Sequence, residues 1–240
     1  MPAHIRASKG DIAERVIVVG DPERARQISK MLEECRLVND NRGLLVYTGK
    51  YKGTPITVAT HGIGAPSAAI VFEELRMLGG KVMVRLGTCG GFLEEMNIGD
   101  IIVVTGAAYP IGGTIGMYIK GEPVALAAVP SYDIVQALIE ECKIRKVKYF
   151  IGPVFSSDAF YAEDPEFIEK WKSRGYLAVE MECATLFTLG LLRGFKTGAL
   201  LIVSNNLARE EKEVKIASEL REYVRVASSI VLEALVKVEV

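Results

Sequence analysis

RVIVVGDPERARQISK, residues 15–30, decides how the rest of the chain is read. Arg15–Gly20 is a short apolar run of the kind that forms a strand buried on both faces. Gly20-Asp21-Pro22 stops it. From Glu23 to Glu34 the apolar residues Ala25, Ile28, Met31 and Leu32 recur at helical spacing. Asp21 has the side chain of an N-cap and Pro22 suits a first helical turn. A buried strand turning directly into a helix is the unit of an α/β fold.

Working outward, strand-length and helix-length segments alternate. Leu44–Tyr51 and Pro55–His61, joined by Lys52-Gly53-Thr54, read as a hairpin. Gly64–Leu78 reads as a helix, and Val82–Leu86 and Asp100–Thr105 as buried strands. A helix is expected over Ser131–Lys146, with a strand from Val147 to Val154. Another helix over Asp164–Arg174 is capped by Asp164 with Pro165 behind it. Glu180–Leu192 is a helix following a short strand, Ala199–Ser204 is the last strand, and Glu210 to about Val236 is a long closing helix. No linker, repeat or low-complexity tract interrupts the 240 residues, so one α/β domain spans 1–240.

Composition narrows the function. The 29 basic and 30 acidic residues nearly cancel, which argues against nucleic acid or an anionic membrane as the main partner. No apolar stretch approaches the ~20 residues of a membrane span, and Met1–Gly10 has no signal-peptide core. A cytoplasmic location is expected. Cys35, Cys89, Cys142 and Cys183 lack metal-site spacing and are expected to be reduced. Two glutamines and five asparagines beside abundant Glu, Lys and Arg lean toward a thermophile source.

Four strand ends carry polar residues that a scaffold does not require. At Gly20–Arg24, backbone N–H groups of a helix start and an arginine suit an anion, although a plain turn with a solvated arginine has the same sequence. In Arg85-Leu-Gly-Thr88-Cys89-Gly90-Gly91, Arg85 interrupts a buried strand and needs an anion, either a ligand or an internal carboxylate. Phosphate is favoured because Arg24 occupies a comparable strand end. Val179-Glu180-Met181-Glu182 sets two carboxylates at a helix start, able to accept from a diol or to compensate the helix dipole. Ser204-Asn205-Asn206 offers groups that read a base edge or make an ordinary turn. Phe160-Tyr161 supplies rings for stacking or for core packing. The two histidines, His4 and His61, are too few for a multi-histidine metal centre.

The joint occurrence of GDPERA (20–25), NRG (41–43), RLGTCGG (85–91), SSDAFY (156–161), VEMECA (179–184) and SNN (204–206) resembles the hexameric purine nucleoside, uridine and methylthioadenosine phosphorylase family. The resemblance implies one α/β domain around a mixed, partly barrel-like sheet, assembled as a trimer of dimers. It implies phosphate held by Gly20, Arg24, Arg85 and Thr88, with Arg42 from a neighbouring subunit. Ribose would meet Met181 and Glu182, with the neighbour's His4 near its 5′ position. The base would lie against Cys89, Gly90, Phe160, Val179, Glu180, Ser204 and Asn205. The implied catalytic set is Glu182, Asn205 and Arg85, and the implied reaction is phosphorolysis of purine nucleosides, 5′-methylthioadenosine, adenosine and inosine among them. Inorganic phosphate is a co-substrate and no cofactor or metal is required.

One departure matters. Bacterial purine members carry Ser-Asp at Ser204-Asn205, and that aspartic acid is thought to protonate N7 of the leaving base. An amide cannot deliver a proton. Ala162–Phe167 lacks the glutamine and arginine by which uridine-specific relatives read uracil, so purine is favoured over pyrimidine. A hydrolytic nucleosidase has no use for three arginines around a phosphate, and a non-catalytic nucleoside-binding protein has only Asn205 in its favour. Placed on a strand that survives its removal, Arg85 is expected to be replaceable by alanine with loss of activity and little loss of fold.

Overall fold

The computed structural model describes residues 2–120, 125–209 and 220–240. The strands are β1 (Arg15–Val19), β2 (Glu33–Asn39), β3 (Val46–Tyr51), β4 (Thr54–Thr60), β5 (Val82–Gly91), β6 (Ile101–Ala108), β7 (Tyr149–Ser156), β8 (Ala178–Glu180) and β9 (Lys196–Asn206). The helices are α1 (Pro22–Ser29), α2 (Ala65–Met77), α3 (Gly113–Ile119), α4 (Tyr132–Arg145), α5 (Pro165–Lys172), α6 (Cys183–Arg193) and α7 (Arg221–Lys237). The strands form a mixed sheet in the order β2-β3-β4-β1-β5-β8-β7-β6-β9, and β9 pairs back with β5. That last pairing closes β5-β8-β7-β6-β9 into a five-stranded ring, the barrel-like part of the sheet. The fold is the single α/β domain expected.

Helices cover both faces because the strands are apolar on both. Phe72 and Leu75 of α2, Ile115 of α3, and Leu186 and Phe187 of α6 pack on one side. Ile28 of α1, Leu138 of α4, and Val231 and Leu235 of α7 pack on the other. Asp21 accepts from the Glu23 N–H and Asp164 from the Phe167 N–H, each at 2.8 Å, so both N-caps form as read from the sequence. Tyr51 and Thr54 close the β3–β4 hairpin around Lys52 (φ 50°) and Gly53 (φ 77°), the two left-handed residues that match strand twist.

Three elements depart from the sequence expectation. The first helix stops at Ser29 rather than Glu34, and Glu33–Asn39 is an edge strand antiparallel to β3. The spacing of Met31 and Leu32 fits a helix, but Glu34 sits at φ 49°, and the charged, mostly exposed residues that follow protect a sheet edge from further pairing. The strand expected to end at Leu86 runs on to Gly91, since β9 pairs with it on one side through Asn206 and β8 on the other at Gly90 and Gly91. The short helix α3 opens on Gly112-Gly113, which the sequence reading passed over. The closing helix is described from Arg221 to Lys237, and residues 210–219 of its expected span lie outside the described residues. Among the described residues no helix is long and apolar enough to cross a membrane, and all four cysteines are free thiols.

Candidate active site

The polar strand ends converge because parallel pairing sets β1, β4 and β5 side by side. Val19 pairs with Thr60 and Val18 with Arg85, so the chain leaves β1 and β4 beside the middle of β5. Farther along β5, Gly90 lies opposite both Val179 of β8 and Asn205 of β9. Ligand sites of open α/β sheets form beyond such carboxyl ends.

Four side chains from these ends form one buried ionic cluster. Arg85 donates from Nε to Glu180 at 3.1 Å, while its Nη2 lies 3.1 Å from Glu180 Oε2 and 2.5 Å from Glu182 Oε2. Its Nη1 is 3.1 Å from His61 Nε2. Gly87, two residues along the same strand, leaves the room: a Cβ there would stand 2.7 Å from Arg85 Cζ. Burial disfavours the guanidinium's charge, but Glu182 and Glu180 outweigh it and hold the pKa above its ordinary value.

The two carboxylates have separate duties. Glu180 accepts from the Glu182 N–H (2.8 Å) and the Cys183 N–H (3.0 Å), the open donors at the start of α6, and from the Ser156 hydroxyl. The Ser156 oxygen in turn accepts from the Ala184 N–H at 2.9 Å. Glu180 therefore fastens β7, α6 and Arg85 together, and its oxygens are taken up inside the protein. Glu182 has fewer ties: Oε1 accepts from the Gly64 N–H at 2.7 Å and Oε2 meets Arg85. Burial raises the Glu182 pKa, with Arg85 opposing and Glu180 adding to the shift.

Arg24 is 6% exposed. Its Nη1 donates to the Leu86 carbonyl at 3.1 Å, and its Nε has no hydrogen-bond partner. Among the described residues it forms no ion pair. Burial, and then the nearby Arg85, depress its pKa to about 10. Two buried arginines side by side, one lacking a counter-ion, form a standing demand for an anion.

Gly20 opens onto a cleft of about 400 Å³ whose walls include Arg42, Leu44, Thr60, Gly62 and Ser67. Arg42 belongs to the rim of this cleft within its own chain, in a left-handed conformation (φ 59°). His4 sits beside it, since the Asn41 amide donates to the His4 carbonyl at 2.8 Å. Glu74 of α2 accepts from the N–H groups of Ala3, His4 and Ile5 and from the His4 ring. The two residues that the resemblance assigns to a neighbouring subunit are thus one adjoining patch.

The strand ends also gather Cys89, Gly90, Val179, Ser204 and Asn205. The Ser204 hydroxyl lies 3.2 Å from both the Cys89 carbonyl and Asn205 Oδ1. Asn205 Nδ2 has no partner among the described residues. Thr88 is partly exposed, and its hydroxyl makes no hydrogen bond among the described residues. Met181 lines a narrow crevice with Tyr109, Ile115 and Ser156. Phe160 lies in a 3-10 turn, 60% exposed, its ring edge-on to Tyr161. Burial pushes the Cys89 and Cys183 thiols up, which favours the protonated thiol over the thiolate.

The family model described as the phosphorylase superfamily matches residues 14–237. A guanosine phosphorylase of Halorubrum lacusprofundi is 39% identical over 204 residues, covering 85% of this chain and 83% of that protein. A DeoD-type 1 purine nucleoside phosphorylase of Shewanella oneidensis is 36% identical over 239 residues, 98% of each. A DeoD-type enzyme of Clostridium novyi is 36% identical over 214 residues, covering 88% and 91%. The chain belongs to the phosphorylase superfamily. As a phosphorylase it carries two residues in this region that the sequence reading left out of the site, His61 and Thr60. Thr60 ends β4 and His61 follows it, the same strand-end signal that singles out the other four segments. The Thr60 hydroxyl is buried and has no partner among the described residues.

Proposed function

We propose that this phosphorylase is a pentosyltransferase that cleaves purine nucleosides with inorganic phosphate, releasing free base and ribose 1-phosphate. The observation that carries the reading is Arg24, buried beside Arg85 and without a carboxylate partner among the described residues. Orthophosphate supplies the missing charge and accepts from several N–H groups at once. Gly20 and Thr88 border the same strand ends, and Arg42 faces the cleft. Phosphate oxygen attacks C1′ as the C1′–N9 bond breaks and the base leaves with the electron pair. Glu182 accepts from ribose hydroxyls and stabilises cationic character at C1′. The reaction so written requires no cofactor.

Asn205 sharpens the substrate. With Oδ1 near the Ser204 hydroxyl, Nδ2 is the group free to meet a base, and it donates. The N7 and O6 of a 6-oxopurine accept, whereas a 6-amino group does not. We therefore propose guanosine and inosine as preferred substrates, with adenosine and 5′-methylthioadenosine slower. The guanosine phosphorylase relative points the same way. The proposal includes a homo-oligomer, a trimer of dimers, in which the His4–Arg42 patch completes a neighbour's site.

The test is base release from guanosine, inosine, adenosine, 5′-methylthioadenosine and uridine, with and without phosphate, followed by chromatography. Phosphate-dependent release with 6-oxopurines fastest is expected. Equal rates in phosphate-free buffer would overturn the reading. Asn205→Asp is expected to move the adenosine-to-inosine ratio of kcat/KM toward adenosine by about tenfold, the scale of one hydrogen bond to a charged group. An unchanged ratio removes Asn205 from the base edge.

A further inference from the structure

We propose that His61 is a positioning residue of the anion site, a neutral acceptor that fixes the Nη1 edge of Arg85 toward phosphate; this rests on the phosphate reading above. The geometry is specific. Glu180 and Glu182 take Nε and Nη2 of the guanidinium, and His61 is the hydrogen-bond partner of Nη1, at 3.1 Å. An arginine nitrogen only donates, so Nε2 must accept and the ring proton sits on Nδ1. Nη1 carries two hydrogens, and binding one to His61 fixes where the other points.

The ring itself is immobilised. His61 is fully buried, its backbone N–H donates to the Val19 carbonyl at 2.8 Å, and its carbonyl accepts from Ser67 at 2.6 Å. Phe72 packs edge-on at 5.4 Å between centroids. A Cβ on Gly20 would come within 3.6 Å of His61 Cε1, so the ring reaches the start of the βα turn that bears Arg24. Among the described residues Nδ1 has no hydrogen-bond partner. Burial, then Arg85, hold the ring pKa well below its usual value. The neighbouring Gly62 carbonyl opposes that shift without making a bond of good geometry to either ring nitrogen.

Charge explains why an imidazole stands here. Two carboxylates, Glu180 and Glu182, already face Arg85. A third carboxylate on Nη1 would repel an incoming phosphate, and an aliphatic side chain would leave a buried N–H unmet. A neutral acceptor satisfies the N–H and adds no charge.

The experiment compares His61→Gln, which keeps an acceptor near the Nε2 position, with His61→Leu and His61→Asn, which do not. Folding is checked by circular dichroism, and kcat and both KM values are measured. Leu and Asn are expected to raise the KM for phosphate about tenfold or more, the scale of a hydrogen bond to a charged group. The nucleoside KM should stay within about threefold, and Gln should restore the phosphate KM to within about threefold of wild type. An unchanged phosphate KM in Leu and Asn, or a Gln variant as impaired as they are, overturns the assignment. Should the Leu variant fail to fold, the Asn–Gln pair decides. Phosphate-independent base release by the wild type refutes the functional reading instead, a result separable from variants that simply match the wild type.

Discussion

Replacing Arg85 by alanine tests the buried cluster most directly, and its outcome differs from the one expected of a residue on an otherwise sound strand. The Arg85 side chain is 5% exposed, Glu180 0% and Glu182 5%. Removing one partner of a buried pair costs about 3–5 kcal/mol, because the opposite charge stays behind without compensation. Here two carboxylates are left, so the upper part of that range is expected, against a total stability of about 5–15 kcal/mol. The penalty depends on pH. The Glu182 pKa is already raised by burial, and loss of Arg85 raises it further. A carboxyl with a raised folded pKa contributes stability below its unfolded value of about 4.3 and loses it as pH rises through the folded value. The deficit of Arg85→Ala is therefore smallest below the unfolded carboxyl pKa and grows as pH rises above it. Urea unfolding at fixed protein concentration measures it, fixed because assembly shifts apparent stability. Adding Glu180→Gln and Glu182→Gln to the variant should return most of the loss at pH 8. A deficit under about 1 kcal/mol at pH 8, or one that does not vary with pH, would refute the account.

Two further perturbations follow from contacts around the site. Gly87→Ala places a Cβ 2.7 Å from Arg85 Cζ and 2.8 Å from Leu201 Cδ2, so the guanidinium must move. A fall in kcat/KM of roughly a hundredfold, as for a displaced catalytic group, is expected in steady-state assays, and a near-normal value would show that Arg85 tolerates displacement. Glu74→Ala removes the acceptor for three successive N–H groups of the N-terminus and should cost about 1–3 kcal/mol. Hydrogen exchange at Ala3, His4 and Ile5 should quicken while α2 stays protected. In the wild type the Glu74 pKa is lowered, since those bonds and His4 outweigh the burial that opposes them. This contribution is therefore present above the unfolded carboxyl pKa and disappears as pH falls through the folded one.

The legible and illegible parts of this chain divide along a physical line. Asp21-Pro22 and Asp164-Pro165 were readable because capping is a contact between neighbours in sequence, and Lys52-Gly53 because a two-residue hairpin fixes its own backbone. The edge strand Glu33–Asn39 was not, because most of its residues are exposed and it has little burial pattern to display. The extension of β5 through Thr88-Cys89-Gly90-Gly91 was hidden for the opposite reason. Its glycines signal a loop when viewed locally, yet β9 and β8 hold them in the sheet, and pairing with strands so distant in sequence leaves no local periodicity. The site divides the same way. Arg85 announced itself as a charge in an apolar run, and the sequence demanded a counter-anion without saying which. The structure supplies Glu180 and Glu182 as internal partners and leaves Arg24 without one. At the second strand end the structure thus shows the internal pair, while phosphate is the proposal that Arg24 carries. That asymmetry accounts for how two arginines persist side by side in a buried site. Arg85 is paired with two carboxylates, whereas Arg24 has no ion-pair partner among the described residues, and the proposed phosphate site rests on that difference.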